Sequence, residues 1–128
     1  MTRKNAGILL RDALVAGEVF AYGISSAFDA LVARQAGHRI MYVGGYAASA
    51  LQGFPDMGIM TATEMLQHIQ HICEAVPDGI FFVDIDEGYG GVHNVRRTVK
   101  DLLLKTSIAA FHIEDQKSPK RCGHIAGK

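Results

Sequence analysis

The sequence predicts an α/β protein built on a parallel sheet. Three observations carry that prediction. Short runs rich in Ile, Val, Phe and Tyr alternate with stretches whose apolar residues recur at helical spacing. The run at residues 80–84 is apolar almost throughout, as a strand buried on both faces is. No repeat of 20–50 residues, linker or composition shift divides the 128-residue chain. The predicted order is one helix, three strand–helix units and a fourth strand.

The elements follow in order. Ile8, Leu9, Ala13, Leu14 and Val15 space out as a short amphipathic helix ending near Gly17. Residues 19–24 read as a strand through the β-formers Phe20 and Tyr22. Ser25 or Ser26 caps the next helix, which carries Phe28, Leu31, Val32 and Ala36 on one face and stops at Gly37. Residues 40–43 form a second strand, broken by Gly44-Gly45, and residues 53–56 a loop. Thr61 or Thr63 caps a helix with Met65, Leu66, Ile69, Ile72 and Val76 inward, which Pro77-Asp78-Gly79 ends. Residues 80–84 are the third strand and residues 88–91 a tight loop. Residues 92–105 form a helix with Val95, Val99, Leu102 and Leu103 inward. Residues 107–113 are the fourth strand, and the polar, basic remainder is loop.

Composition narrows the function classes. Hydrophobic residues at 48% and charged residues at 20% exclude a disordered or collagen-like chain. Folding buries roughly two-thirds of the surface of a chain this long, enough for a core. Thirteen basic and thirteen acidic residues give zero net charge, so no global field draws the chain to nucleic acid or an anionic membrane. Arg96, Arg97 and Lys100 read as a solvated helix face without the interleaved aromatics of a nucleic-acid site. Cys73 and Cys122 are too few for a disulfide framework, and Cys73, among apolar helix neighbours, reads as core. No apolar run reaches the roughly 18 residues of a membrane span. Residues 1–17, which contain Arg3, Lys4, Arg11 and Asp12, lack a signal peptide's apolar core. The expectation is a cytoplasmic, reduced protein.

Four segments offer chemistry. In Asp84-Ile85-Asp86-Glu87-Gly88-Tyr89-Gly90-Gly91, acids two apart on a strand share a face, so Asp84 and Asp86 converge at the strand's C-terminal end. Two carboxylates about 4 Å apart repel by ~4 kcal/mol at an effective dielectric of 20. A divalent cation or a shared proton removes that cost. A surface turn with solvated acids is the alternative. Phe111-His112-Ile113-Glu114-Asp115 ends a second strand in acids, and neighbouring parallel strands would bring Glu114 near the first pair. All-oxygen ligands favour Mg²⁺ or Mn²⁺ over zinc. The other possibility is an acid that only caps a turn. His112 reads as a structural strand residue rather than a ligand. Cys122 in Pro119-Lys120-Arg121-Cys122-Gly123-His124 sits beside two cations, surroundings that favour thiolate; a loop cysteine without a role is the alternative. Tyr42-Val43-Gly44-Gly45-Tyr46 offers backbone N–H groups to an anion, without a nucleotide-binding fingerprint. In the nearby Gly53-Phe54-Pro55-Asp56-Met57-Gly58, Asp56 is either a further acid or a turn former.

Together these segments resemble the isocitrate lyase/phosphoenolpyruvate mutase superfamily, from about Val19 to the last residue. The strongest likeness is Ile113-Glu114-Asp115-Gln116 with Pro119-Lys120-Arg121-Cys122-Gly123-His124 and the final Gly127-Lys128, similar to the family's signature around its mobile active-site loop. The resemblance implies a (β/α)₈ barrel, of which this chain is about the first four βα units with an N-terminal helix. One incomplete domain would run over residues 1–128, with residues 116–128 as the mobile loop. By the same resemblance, Asp84 and Asp86 hold Mg²⁺ or Mn²⁺ directly or through water, with Glu114 assisting. Tyr42, Gly44, Gly45, Tyr46, Asp84, Gly123 and His124 bind a small carboxylate substrate, and Cys122 is the acid/base.

The implied reaction is carbon–carbon cleavage of a small 2-hydroxy di- or tricarboxylate of the methylisocitrate or dimethylmalate kind, through an enolate. Oxaloacetate decarboxylation and carboxyphosphonoenolpyruvate phosphonomutation are the alternatives. Gly44 stands where the family often has Ser or Thr, and Tyr46 where it has a small residue. An Arg and an acid from later barrel strands have no counterpart in this chain. Intact members are tetramers, so a homo-oligomer is expected, with no nucleic-acid or membrane partner. Taken alone, the 128 residues are expected to be inactive and, with two unpaired sheet edges, oligomeric or poorly soluble. A non-catalytic interaction module is the remaining alternative.

Overall fold

The computed structural model describes residues 5–17 and 19–126. Arg3, Lys4, Gly127 and Lys128 lie outside them. The order is α1 (Ala6–Ala16), β1 (Tyr22–Ile24), α2 (Ala27–Gln35), β2 (Ile40–Val43), α3 (Gly45–Leu51), α4 (Ala62–Ala75), β3 (Ile80–Asp84), α5 (Val92–Lys105) and β4 (Ala110–His112). The four strands are parallel and ordered β1-β2-β3-β4. A doubly wound sheet reverses its strand order at a switch point; a barrel adds each strand beside the last. This sheet is the second kind, a partial (β/α)₈ barrel.

Local chemistry accounts for the ends. Asn5 caps α1, its side chain accepting from the Gly7 N–H. Ser26, of the two candidate serines, caps α2 by accepting from the Asp29 N–H. Thr61, rather than Thr63, caps α4 in a reciprocal capping box with Glu64. The outer strands are shorter than expected, β1 losing residues 19–21 and β4 residues 107–109 and 113.

Strand parity divides the core. Met41, Val43, Phe81, Val83 and Ile85 are fully buried beneath the helices, with Met65, Ile69, Ile72, Cys73 and Val76 from α4 and its C-cap. Tyr42, Phe82, Asp84 and His112 alternate with them and share the other face, Tyr42 opposite Phe82 and Asp84 opposite His112.

Two helix faces differ from expectation. α2 buries Ala30 and Ala33, while Phe28, Leu31 and Val32 are exposed. α2 packs against both β1 and α4, and the small alanines face inward there. On α5, Leu102 and Thr98 are buried and Leu103 is exposed. Thr98 turns inward because its hydroxyl donates to the Gly88 carbonyl, 3.2 Å away. Gly44-Gly45 does not simply end β2 but starts the seven-residue α3, with Gly44 as N-cap. Among the described residues no helix is long and apolar enough to cross a membrane.

Candidate metal and carboxylate site

The C-terminal strand ends carry the site. Asp84 is the last residue of β3, and Asp86 lies beyond it with φ at 47°, a left-handed conformation that Asp tolerates better than most residues. The expected convergence of these two acids is present, and it is made by this turn rather than by strand alternation. Asp84 Oδ1 accepts from the Asp86 N–H at 2.9 Å, and Asp84 Oδ2 from the Gly45 N–H at 3.1 Å. Both carboxylates are buried. Gly45 is what lets them sit there. A Cβ at that position would lie 2.7 Å from Asp86 Oδ1 and 3.1 Å from Asp84 Oδ2.

This arrangement revises the anion reading of Gly44-Gly45. The Gly45 N–H already serves Asp84, so the segment cradles carboxylates rather than offering that donor to an external anion. Tyr42, Gly44, Gly45, Tyr46 and Asp84 do line one cavity of about 340 Å³, together with Ser25 and Asp29. Ser25 gives both its N–H and its hydroxyl to Asp29 Oδ2, which holds the Asp29 carboxyl below its usual range. Tyr46 is exposed at the cavity's wall.

His112 enters the site. Its Nε2 lies 3.1 Å from Asp84 Oδ1 and 3.1 Å from the Tyr42 hydroxyl, and its ring packs against Tyr42 and Phe82. It is a strand residue, as expected, and its ring also touches two of the site side chains. The β3–β4 register, which local sequence does not fix, places it opposite Asp84. Burial first, and then the charges of Asp84, Glu114 and Asp86, raise the Tyr42 pKa to about 12, so this phenol stays protonated at neutral pH.

Glu114 joins the two strand ends through its backbone. Its N–H donates to the Asp86 carbonyl at 2.8 Å, so the two strand ends do meet. Its carboxylate, however, accepts from the Gln116 amide. Among the described residues no three His, Cys, Asp or Glu side chains converge as a metal-holding group. The Glu114 carboxylate is hydrogen-bonded within its own loop, and Asp84 and Asp86 are the acids that meet at Gly45.

Lys120 is the residue that sequence reasoning passed over. It was read only as a cation flanking Cys122, yet its ammonium is buried between two distant acids. It pairs with Asp56 and lies 2.7 Å from Asp86 Oδ1. Burial alone would lower its pKa; Asp56 and Asp86 outweigh that and raise it. The Asp86 pKa is raised, because burial outweighs the help it receives from Lys120. Lys120 thereby ties Asp56 to Asp86. The ammonium serves carboxylates, not the Cys122 thiol. Cys122 is half-buried, Gly123 and His124 are exposed, and none of the three is among the residues lining the cavity. No helix or strand occurs in residues 113–126.

The residues present fit a hard divalent cation. Asp86 Oδ1 is buried without a hydrogen bond of good geometry, and the Gly45 cradle leaves room that a Cβ would fill. Mg²⁺ needs only one or two protein carboxylates, since it retains several waters. Lys120 already supplies a positive charge at the same oxygen.

A sequential parallel barrel segment with buried acids at its C-terminal strand ends defines a class, the barrel enzymes whose chemistry sits on that face. The sequence profile of the phosphoenolpyruvate phosphomutase family matches residues 16–126, and the chain belongs to the phosphoenolpyruvate mutase/isocitrate lyase superfamily. It is 49% identical over 111 residues to an isocitrate lyase of Haloferax volcanii, an alignment covering 86% of this chain and 32% of that protein. A crystal structure of 2,3-dimethylmalate lyase superposes with a TM-score of 0.85 at 36% identity, over 98% of this chain and 42% of that one. Phosphonopyruvate hydrolase, solved with oxalate and Mg²⁺, gives 0.82 at 29% identity, over 91% and 41%. The chain thus spans about a third of the curated relative's length.

Proposed function

We propose that this chain provides the cation and carboxylate-binding part of a Mg²⁺-dependent carbon–carbon lyase acting on small 2-hydroxy di- or tricarboxylates. The observation that carries the reading is the buried Asp84–Asp86 pair seated on Gly45 beside Tyr42 and His112. The Mg²⁺ and oxalate held by phosphonopyruvate hydrolase, and the names of the isocitrate and dimethylmalate lyases, support the cofactor and the substrate class.

Asp84 and Asp86 would hold the cation, with Glu114 reaching it at most through water. When bound, it would polarise a substrate oxygen and stabilise developing negative charge. The chain's own residues do the rest. The protonated Tyr42 hydroxyl donates a hydrogen bond to a substrate oxygen. His112 bridges Tyr42 and Asp84 and fixes both. A base takes the hydroxyl proton of the 2-hydroxy acid, the C2–C3 bond breaks as the C2–O bond becomes a carbonyl, and the bonding pair leaves on a carboxylate-stabilised carbanion beside the α-oxo acid. Cys122 protonates the carbanion. Two residues span at most about 7 Å, so Lys120 holds Cys122 at the rim of the site for as long as it is seated on Asp56 and Asp86. Closure of the loop excludes water.

The test uses the longest polypeptide that the gene encodes. With Mg²⁺, it is offered isocitrate, 2-methylisocitrate, 2,3-dimethylmalate, oxaloacetate and carboxyphosphonoenolpyruvate, and pyruvate, glyoxylate, oxalate and phosphonate products are followed side by side. Cleavage of a 2-hydroxy acid, lost in Asp84→Asn and strongly reduced in Cys122→Ser, is the expected result. Near-normal turnover in Cys122→Ser removes Cys122 from the mechanism, and turnover of carboxyphosphonoenolpyruvate alone replaces the lyase with a mutase.

A further inference from the structure

The two halves of the site meet at one oxygen. Asp86 Oδ1 lies 2.7 Å from the Lys120 ammonium, and it is also the oxygen facing the Gly45 cradle. Lys120 is 3% exposed and Asp86 4%, so neither charge is satisfied by bulk water. A buried charge that loses its partner is strongly disfavoured, so Asp86 keeps a positive partner at all times. A dication and an ammonium at the same carboxylate oxygen repel one another.

Lys120 is also the point at which its loop is fastened. Its ammonium pairs with Asp56, and a Cβ on Gly58 would lie 3.2 Å from the Lys120 Cβ, so stem and head both rest on the segment 56–58. The neighbouring polar contact is local to the loop, the Arg121 N–H donating to the Gln116 side chain. Cys122 follows two residues later.

We infer that Lys120 is a positioning residue that exchanges places with the divalent cation at Asp86, so that loading the cation loosens the loop carrying Cys122. This rests on the cation reading proposed above, and the experiment separates the two. Mg²⁺ binding to the longest polypeptide that the gene encodes is measured by calorimetry for the wild type, Lys120→Met and Asp84→Asn. Iodoacetamide modification of Cys122 is followed by peptide mass spectrometry, with buried Cys73 as the internal reference.

Lys120→Met is expected to bind Mg²⁺ at least tenfold more tightly than the wild type, and Asp84→Asn much more weakly. Mg²⁺ should accelerate Cys122 modification several-fold in the wild type and leave the already fast Lys120→Met unchanged. Equal Mg²⁺ affinities in the wild type and Lys120→Met, or a wild-type Cys122 rate that Mg²⁺ leaves alone or slows, overturn the exchange while leaving the cation site intact. No binding to either chain overturns the cation reading itself, and the exchange with it. The wild-type modification rate needs no variant, so it decides the matter even if Lys120→Met does not fold.

Discussion

Replacing Gly45 by Ala tests the cradle through the sign of the effect. Gly45 is the first residue of α3, and in an ordinary helix Gly→Ala stabilises by roughly 0.5–1 kcal/mol. Here the new methyl would fall 2.7 Å from Asp86 Oδ1 and 3.1 Å from Asp84 Oδ2, with Asp84 Cγ at 3.4 Å. Asp84 cannot retreat freely, because Oδ2 accepts from this same residue's N–H and Oδ1 from Asp86. Overpacking of that kind costs about 1–3 kcal/mol. Set against the helix gain, the net expectation is a loss of about 0.5–2 kcal/mol. The variant should also lose at least about tenfold in Mg²⁺ affinity, equivalent to ~1.4 kcal/mol, because the acids are pushed apart. Urea denaturation and calorimetry on the same preparations read both quantities. Gly23→Ala is the control: nothing lies within 4 Å of its Cβ position, so it should be neutral or stabilising. A Gly45→Ala chain that is more stable than the wild type and binds Mg²⁺ equally well would refute the cradle.

Three further outcomes are expected. Thr61→Ala removes the α4 cap and should cost about 1 kcal/mol in urea denaturation while leaving Mg²⁺ binding unchanged. Phe81→Ala empties the largest fully buried side chain, at about 3–5 kcal/mol, and should abolish the cooperative thermal transition. In alkali, Tyr42 (raised from 10.0 to about 12) and Lys120 (raised from 10.5) both keep their protons longer folded than unfolded. The folded state then binds more protons, so stability is fully present below the unfolded values and falls as pH rises. Between pH 10 and 12, wild-type stability should drop more steeply than that of Tyr42→Phe; parallel slopes would contradict the Tyr42 assignment.

Local sequence made the central elements legible. β2, β3 and α5 occupy the expected residues, because near-continuous apolar runs and clear breakers, Pro77-Asp78-Gly79 and Gly88 to Gly91, bound them. What escaped was decided by contacts across the chain. The inward face of α2 is set by its packing on β1 and α4, which selects Ala30 and Ala33 over the larger Phe28 and Leu31. Lys120 meets Asp56, 64 residues earlier, and no local pattern announces such a pair. α3 was hidden because two glycines ordinarily punctuate a chain, whereas here Gly45 is a helix residue chosen for what its missing Cβ leaves open.

Parity explains why the site could be half read. A one-residue slip in register exchanges the two faces of a strand. Met41, Val43, Phe81 and Val83 all lie beneath the helices, so exchanging faces in β2 or β3 would bury Tyr42 or Asp84 among apolar side chains. The hydrophobic face therefore fixes the polar one. Tyr42, Asp84 and His112 are held on a common face by the burial of residues they do not touch chemically. The acids of β3 could be inferred because they end an apolar strand. His112, on a strand of only three residues that is half-buried throughout, declared its role only through its register with Asp84. Substituting the apolar face should therefore disturb the acids through register and stability together, whereas substituting Gly45 or Lys120 disturbs them directly.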